Sequence, residues 1–386
     1  MKNGGIVPLT NVIQVIPTLE RGGAEAIVIR LCAGLNSKNI NTKILVLSEM
    51  GVSERIESSH VDVSKVQVVD QHQKGFISGN WFVGIIKWFF QNRDFFSNAD
   101  VVHLHLTKSL FLCLLIKLDK FFTLHRKAKL PLFVFTVHGV GSRQTLVRKI
   151  FNRLTIPLVD VLVLVAEDNY WNKFANHFSK SGKVNFVIKN GIELKGGGKF
   201  IPKKKVDELM TFGTLTRLNK DRLPEIFIDL AKELVMRRNT DFQFLIGGAG
   251  PLFESLQHRV KQERLEKIVL FKGQVLDAEK FFNLLDLFIS INTGETTGVA
   301  ALEAIDAGVP VISYQRVAGY EPNQDSWIWS TRNLEQLADR ILAVVDTENG
   351  LNRLIQDQSR FLHENFNEEV MLSSYLKAYN TGKLSY

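Results

Sequence analysis

Two α/β domains, each a doubly wound parallel sheet with helices on both faces, are the fold the sequence predicts. Three observations predict it. Short β-branched apolar runs alternate with longer stretches of helical spacing, the alternation stops and restarts once, and the interruption is rich in Gly, Lys and Pro. Strands that are apolar along their whole length mark parallel sheets covered on both faces, and regular strand–helix alternation is how such sheets are wound. A length of 386 residues suits two domains of ordinary size. With 45% hydrophobic and 23% charged residues and a mean hydropathy of +0.01, the chain can bury substantial cores and is not a disordered tail.

The first series of strands is expected at residues 11–16, 43–47, 66–69, 101–104, 132–137, 161–165 and 184–188. Helical spacing fills the gaps, for example at 24–35, 81–92 and 110–124. The pattern then breaks at Lys195-Gly196-Gly197-Gly198-Lys199 and Pro202-Lys203-Lys204-Lys205, a linker composition. A second series follows at 209–213, 242–246, 268–271, 287–291 and 309–312. The expected domains are therefore 1–194 and 195–365. Ligands of open parallel sheets bind outside the carboxyl ends of the strands. Chemistry is expected in the loops after strands, and two such sheets facing each other would make a cleft.

The net charge is +8 and the pI about 9.3. Residues 1–194 hold 24 Lys/Arg against 14 Asp/Glu, or +10, and residues 195–386 hold 24 against 26, or −2. The basicity belongs to the first half. Two cysteines, Cys32 and Cys113, support neither a disulfide framework nor a thiolate metal site, so a reducing, cytoplasmic setting is expected. The apolar run at 110–116 is far short of the roughly 18–20 residues that span a bilayer. Residues 1–17 lack the features of a secretory signal.

The most informative segment is Asn292-Thr293-Gly294-Glu295-Thr296-Thr297-Gly298-Val299-Ala300-Ala301-Leu302-Glu303-Ala304, which follows a strand and opens a helix. Gly298 lets a ligand approach the backbone, and the Val299 and Ala300 amides begin the helix. Unpaired amides and the positive end of the dipole make such a start an anion site. Glu295 before it and Glu303 within it suit sugar and ribose hydroxyls. An ordinary loop-to-helix transition with a solvated acid at each end fits the same spacing.

Glu-x7-Glu in this frame, followed by Gly308-Val309-Pro310-Val311-Ile312, resembles the donor-site motif of retaining GT-B glycosyltransferases of family four. Other segments match in the same order: Gly22-Gly23-Ala24-Glu25, Asp100-Val101-Val102-His103-Leu104-His105, Thr136-Val137-His138-Gly139 and Ile188-Lys189-Asn190-Gly191-Ile192. Gly213-Thr214-Leu215-Thr216-Arg217-Leu218-Asn219-Lys220 and Ile246-Gly247-Gly248-Ala249-Gly250-Pro251 continue the series. The tail Phe366-Asn367-Glu368-Glu369-Val370-Met371 with Tyr375 is similar to the family's last helix, expected at about 366–380 and packing back on the N-terminal domain. The resemblance spans nearly the whole chain and implies the GT-B fold, with an acceptor-binding first domain and a donor-binding second one.

The resemblance also implies roles. Leaving diphosphate develops negative charge, which fixed cations and amide dipoles stabilise. Arg217 and Lys220 would supply the cations and Gly298, Val299 and Ala300 the dipoles. The family spaces this Arg and Lys about five apart; here they are three apart, so Arg222 is an alternative to Lys220. Glu303 would hold the ribose and Glu295 the transferred sugar. Thr296 and Thr297 replace a Gly–aromatic pair beside that sugar, and Thr297 is placed in the donor site. His138 would lie by the reacting sugar. Gly22, Gly23, Gly213 and Gly248 would admit the donor close to the backbone, though a plain tight turn also explains Gly22 and Gly23. His103 and His105 are expected to point to opposite faces as structural or cleft-rim residues.

Aromatics and cations cluster at 81–90 and 108–129, with Lys117, Lys120, Arg126 and Lys127 among apolar neighbours, and Arg143, Arg148, Lys149 and Arg153 extend the charge. Such helices suit contact with an anionic membrane surface, although solvated cations over helices that cover the sheet would look the same. There is no Asp-x-Asp, no zinc-type His/Cys spacing, no Walker loop and no Gly-x-Ser-x-Gly elbow. The expectation is a metal-independent retaining hexosyltransferase with no cofactor. It would take a nucleotide sugar, UDP-sugar ahead of GDP-sugar, and a lipid-linked saccharide acceptor for surface polysaccharide. Nucleic acid is not an expected partner, and the inner face of the plasma membrane is the expected location. A GT-B epimerase or hydrolase, and a non-catalytic binding module on the same scaffold, are the alternatives.

Overall fold

The computed structural model describes residues 9–20, 23–48, 63–69, 81–122, 129–138, 145–165, 169–194, 209–238, 242–291, 298–314 and 330–384. The chain divides into two compact units, Met1–Gly191 with Glu368–Tyr386, and Ile192–Asn367.

Seven parallel strands form the sheet of the first unit: β1 Asn11–Ile16, β2 Asn41–Val46, β3 Val66–Val68, β4 Val101–His105, β5 Leu132–Val137, β6 Val161–Leu164 and β7 Val184–Val187. Their order is β3-β2-β1-β4-β5-β6-β7, so the winding reverses between β1 and β4. Alternation divides the strand residues between two faces. Ile13, Val15, Val102, Leu104, Phe133 and Phe135 pack with the helices Trp81–Gln91, Leu110–Phe122 and Asn169–Lys180. Val12, Val101, Leu132 and Val134 face the helices Gly23–Ser37 and Glu368–Leu384, and the latter buries Met371, Leu372, Tyr375 and Tyr379 there.

The second unit carries β8 Met210–Leu215, β9 Phe242–Gly247, β10 Val269–Gly273, β11 Leu287–Ile291, β12 Val311–Tyr314 and β13 Ser330–Thr331, all parallel, in the order β10-β9-β8-β11-β12-β13. Here the reversal falls between β8 and β11. β13 has only two residues and no apolar run to announce it. β12 starts at Val311 rather than 309, because Pro310 has no N–H for the ladder and contributes only its carbonyl, to Phe288 N at 2.9 Å.

An aspartate strut recurs at the amino ends of the sheets. Asp100, just before β4, accepts from Thr10 N at 2.8 Å and Asn11 N at 3.0 Å; the buried Asp160, before β6, accepts from Phe133 N at 2.8 Å; Asp286, before β11, accepts from Thr211 N at 2.8 Å. Each carboxylate satisfies an amide at the start of the neighbouring strand. At the opposite, carboxyl ends the loops are left for ligands.

Candidate active site

In the second unit the two segments expected to hold a diphosphate leave from the neighbouring strands β8 and β11, on either side of the reversal. This is where an open parallel sheet offers a crevice for ligands. After β8 the chain runs through Arg217, then a short 3₁₀ turn, Lys220–Arg222, and into the helix Glu225–Arg237. Arg217 and Lys220 are exposed and Arg222 half-buried. After β11 the helix Val299–Asp306 starts behind Gly298, whose backbone is extended and which no side chain caps. The first return bond is from Ala301 N to Gly298 O at 3.0 Å, so the Val299 and Ala300 amides have no intrahelical acceptor. Space around the Gly298 Cα is open. Glu303, half-buried, sits one turn in, on the Val299 face of the helix.

The other expected glycines shape the backbone. Gly213 lies inside β8, where a Cβ would meet both Leu285 methyls at 2.5 Å. Gly248, with φ of 130°, lets the loop after β9 lie on the loop after β8; a Cβ there would fall on the Thr216 carbonyl. The two loops are laced by Thr216 N to Gly247 O, Leu218 N to Ala249 O and Leu252 N to Leu218 O, each 3.0 Å. Gly248 thus supports the segment bearing Arg217. Gly23 is the first residue of the helix Gly23–Ser37. Gly22, Glu295, Thr297, Arg126 and Lys127 lie outside the described residues.

In the first unit His138 follows β5 and closes a mesh of buried polar groups. His105 Nδ1 is 2.8 Å from His138 Nε2, and His105 Nε2 is 2.7 Å from Gln14 Oε1. His103 Nδ1 is 2.8 Å from the Tyr379 hydroxyl and His103 Nε2 is 2.7 Å from Thr136 Oγ1. Burial holds His103 and His105 well below the usual imidazole range, neighbouring imidazole charge adding to it, and lowers His138 to about 4. All three rings are therefore neutral near pH 7.

The opposite-face expectation for His103 and His105 is overturned. Residues two apart on a strand share a face, and their ring centroids are 4.0 Å apart. Both are fully buried, so neither is a rim residue. Gln14 and the C-terminal Tyr379, which complete the mesh, were not anticipated. The signal for Gln14 was a polar residue inside an otherwise apolar strand; Tyr379, in the helix Glu368–Leu384, had none.

Lys117 is placed differently from its expected membrane role. Its ammonium lies 3.3 Å from the buried Asp160 and 5.2 Å from the Phe133 ring centroid. Lys120 is half-buried near the exposed Phe121 and Phe122. The larger exposed apolar surface is on the helix Leu146–Thr155, where Leu146, Val147, Ile150 and Leu154 are each more than half exposed. Among the described residues no helix is long and apolar enough to cross a membrane.

Residues 207–347, which span this β8–β11 crevice, match the family model described as glycosyl transferases group 1. This segment is a group 1 glycosyltransferase domain. The chain as a whole is 22% identical over 200 residues, 51% of its length, to poly(ribitol-phosphate) alpha-N-acetylglucosaminyltransferase of Staphylococcus aureus, of which it spans only 39%. It is 23% identical to 2-deoxystreptamine N-acetyl-D-glucosaminyltransferase of Niallia circulans, over 76% of this chain and 79% of that protein. The crystal structure of Anabaena HepE in complex with UDP and glucose superposes with a TM-score of 0.71 at 13% identity, covering 96% of this chain and all of that one. The fold of the chain is GT-B: two parallel-sheet α/β domains.

Proposed function

We propose that this chain transfers a sugar, with retention and without a metal, from a UDP-sugar to a lipid-linked saccharide in cell-surface polysaccharide assembly. The observation that carries the reading is the convergence of the Arg217–Lys220 segment and the Gly298 helix start at the β8–β11 reversal. Cations and free amides there suit a nucleoside diphosphate leaving group. In this reading Glu303 on the same helix takes the ribose hydroxyls, and His138, neutral near pH 7, takes a sugar hydroxyl. The HepE structure, which holds UDP and glucose, supports the choice of nucleotide. The S. aureus relative, named for an acceptor built of ribitol phosphate, supports a polymer-assembly role.

An anionic lipid surface is the proposed platform for the acceptor. On the helix Leu146–Thr155 the apolar residues Leu146, Val147, Ile150 and Leu154 form one stripe, flanked by exposed Arg148, Lys149 and Arg153. That is the pattern of a helix lying in a bilayer interface. The neighbouring helix Leu110–Phe122 adds Phe121 and Phe122, 71% and 75% exposed. Lys108 lies close enough to Arg148 for its pKa to be lowered, burial being the first cause and that charge the second. Lys117 leaves the proposed lipid-facing set, and the Leu146–Thr155 stripe takes its place.

The test is a melting-temperature screen with UDP, GDP and a panel of nucleotide sugars, followed by product analysis with and without acceptor. UDP should stabilise, and sugar transfer should need an acceptor. No shift with any nucleotide would defeat the proposal, and an acceptor-independent product would replace it with epimerisation or hydrolysis. For the platform, Ile150→Glu with Leu154→Glu should abolish cosedimentation with phosphatidylglycerol vesicles; undiminished binding would remove the helix from the contact.

A further inference from the structure

The donor and acceptor roles around His138 can be worked out atom by atom. Gln14 Nε2 donates to the Tyr379 hydroxyl oxygen at 3.4 Å, which leaves Gln14 Oε1 to face His105 Nε2 at 2.7 Å. An amide oxygen only accepts. His105, a neutral ring, therefore carries its proton on Nε2 and presents a lone pair at Nδ1. The group facing that lone pair is His138 Nε2 at 2.8 Å, which must donate. His138 is then the Nε2–H tautomer, and its Nδ1 is a lone pair. That atom is buried and has no hydrogen-bond partner among the described residues.

The rest of the mesh accommodates this orientation of Gln14. With Gln14 donating to Tyr379, the Tyr379 proton goes to His103 Nδ1, 2.8 Å away, and His103 Nε2 donates to Thr136 Oγ1, which is 3.3 Å from the Tyr375 hydroxyl. Turning the Gln14 amide over would reverse both histidine bonds and make His138 Nδ1 a donor. The mesh therefore decides which hydrogen-bonding partner His138 can take.

We infer that Gln14, His105 and Tyr379 are positioning residues that hold His138 in the Nε2–H tautomer, so that Nδ1 accepts a hydrogen from a hydroxyl of the bound saccharide. The ligand class rests on the glycosyl-transfer reading above; the tautomer does not. Tyr379 belongs to the C-terminal helix Glu368–Leu384, which gives that helix a role in the site beyond covering the sheet.

The test reads protons directly. In the full chain labelled with [15N]histidine, two-bond 1H–15N spectra report which ring nitrogen of His138 is protonated, assigned by comparison with His138→Asn. Wild type should show Nε2–H alone, and Tyr379→Phe and Gln14→Met should each give a mixture of tautomers. Both variants should lose turnover roughly fivefold to tenfold, the scale of one hydrogen bond, with KM for the nucleotide sugar little changed. Protonated Nδ1 in wild type, or an unmoved tautomer in both variants, overturns the inference whatever the activity. A correct tautomer with no turnover on any nucleotide sugar supports the mesh and overturns the saccharide hydroxyl as its ligand.

Discussion

Substituting Gly248 by Ala separates backbone strain from displacement of the loop that bears Arg217, the proposed phosphate-binding segment. A Cβ on Gly248 would lie 3.0 Å from the Thr216 carbonyl carbon and closer still to its oxygen, and φ there is 130°. Carbon atoms in contact sit about 3.5–4.0 Å apart, so the 216–219 segment must retreat by roughly half an ångström or more. Holding a non-glycine residue in such a conformation costs about 1–3 kcal/mol. Loosening the three bonds between the loops costs roughly 1 kcal/mol more for each one lost. We expect a total near ~3 kcal/mol, which in a unit of this size lowers the melting temperature by about 6–12 °C. Because Arg217 rides on the moved segment, UDP-induced stabilisation should fall with it, and turnover by up to about 100-fold if the shift reaches 1 Å. Gly273→Ala is the control. Gly273 also has positive φ, 67°, but a Cβ there meets nothing within 4 Å. It should cost only about 1–2 kcal/mol and keep the full UDP response. Differential scanning fluorimetry with and without UDP reads both quantities. Equal UDP responses in the two variants would refute the claim that Gly248 positions the loop.

Arg217→Ala or Lys220→Ala should lower turnover by hundreds of fold, about 3–4 kcal/mol of transition-state stabilisation, without lowering the melting temperature, since both side chains are exposed; near-normal turnover in steady-state assays would rule out the role. Unit one should weaken on acidification. His103, His105 and His138 have lowered folded pKa values, that of His138 about 4, so below pH 6.5 the unfolded chain binds more protons than the folded one. Stability is complete above that pH and falls as the pH drops below 6.5, by roughly 1.4 kcal/mol per pH unit for His138 down to about 4, with His103 and His105 acting in the same direction; urea midpoints at pH 7 and pH 5 check it, and equal midpoints contradict it. Asp160→Ala leaves Phe133 N–H and Lys117 without their acceptor and should cost about 2–4 kcal/mol in a urea titration, whereas Lys149→Ala, on the exposed helix, should cost almost nothing.

The sheets were legible because strands buried on both faces are mostly apolar, as the run Val161–Leu164 is along its whole length. β13 was not, since two residues, Ser330 and Thr331, carry no period. The helix start at Gly298 was visible because a strand gives way to a helix there, a local pattern. The histidine mesh was only half visible. Gln14, His103, His105 and Thr136 stand out as polar residues in apolar strands, but the partner of His103 is Tyr379, 276 residues away, and nothing local announces it. Lys117 shows the same limit from the other side. Helical spacing puts it among cations and aromatics, yet its ammonium is taken by Asp160, 43 residues on.

The division of the first unit into Met1–Gly191 and Glu368–Tyr386 sets an order of events during synthesis. Domains generally fold as they emerge, the N-terminal one first. Here the second unit is complete at Asn367, before the helix that covers Val12, Val134 and Val163 and supplies Tyr375 and Tyr379 has been made. The half made first must wait with part of one apolar sheet face, the part not covered by the helix Gly23–Ser37, open until the half made second has left the ribosome. A nascent chain arrested shortly after Asn367 would expose that face to chaperones and proteases while its glycosyltransferase domain was already closed. The helix Glu368–Leu384 thus joins the first unit only after the second has been made.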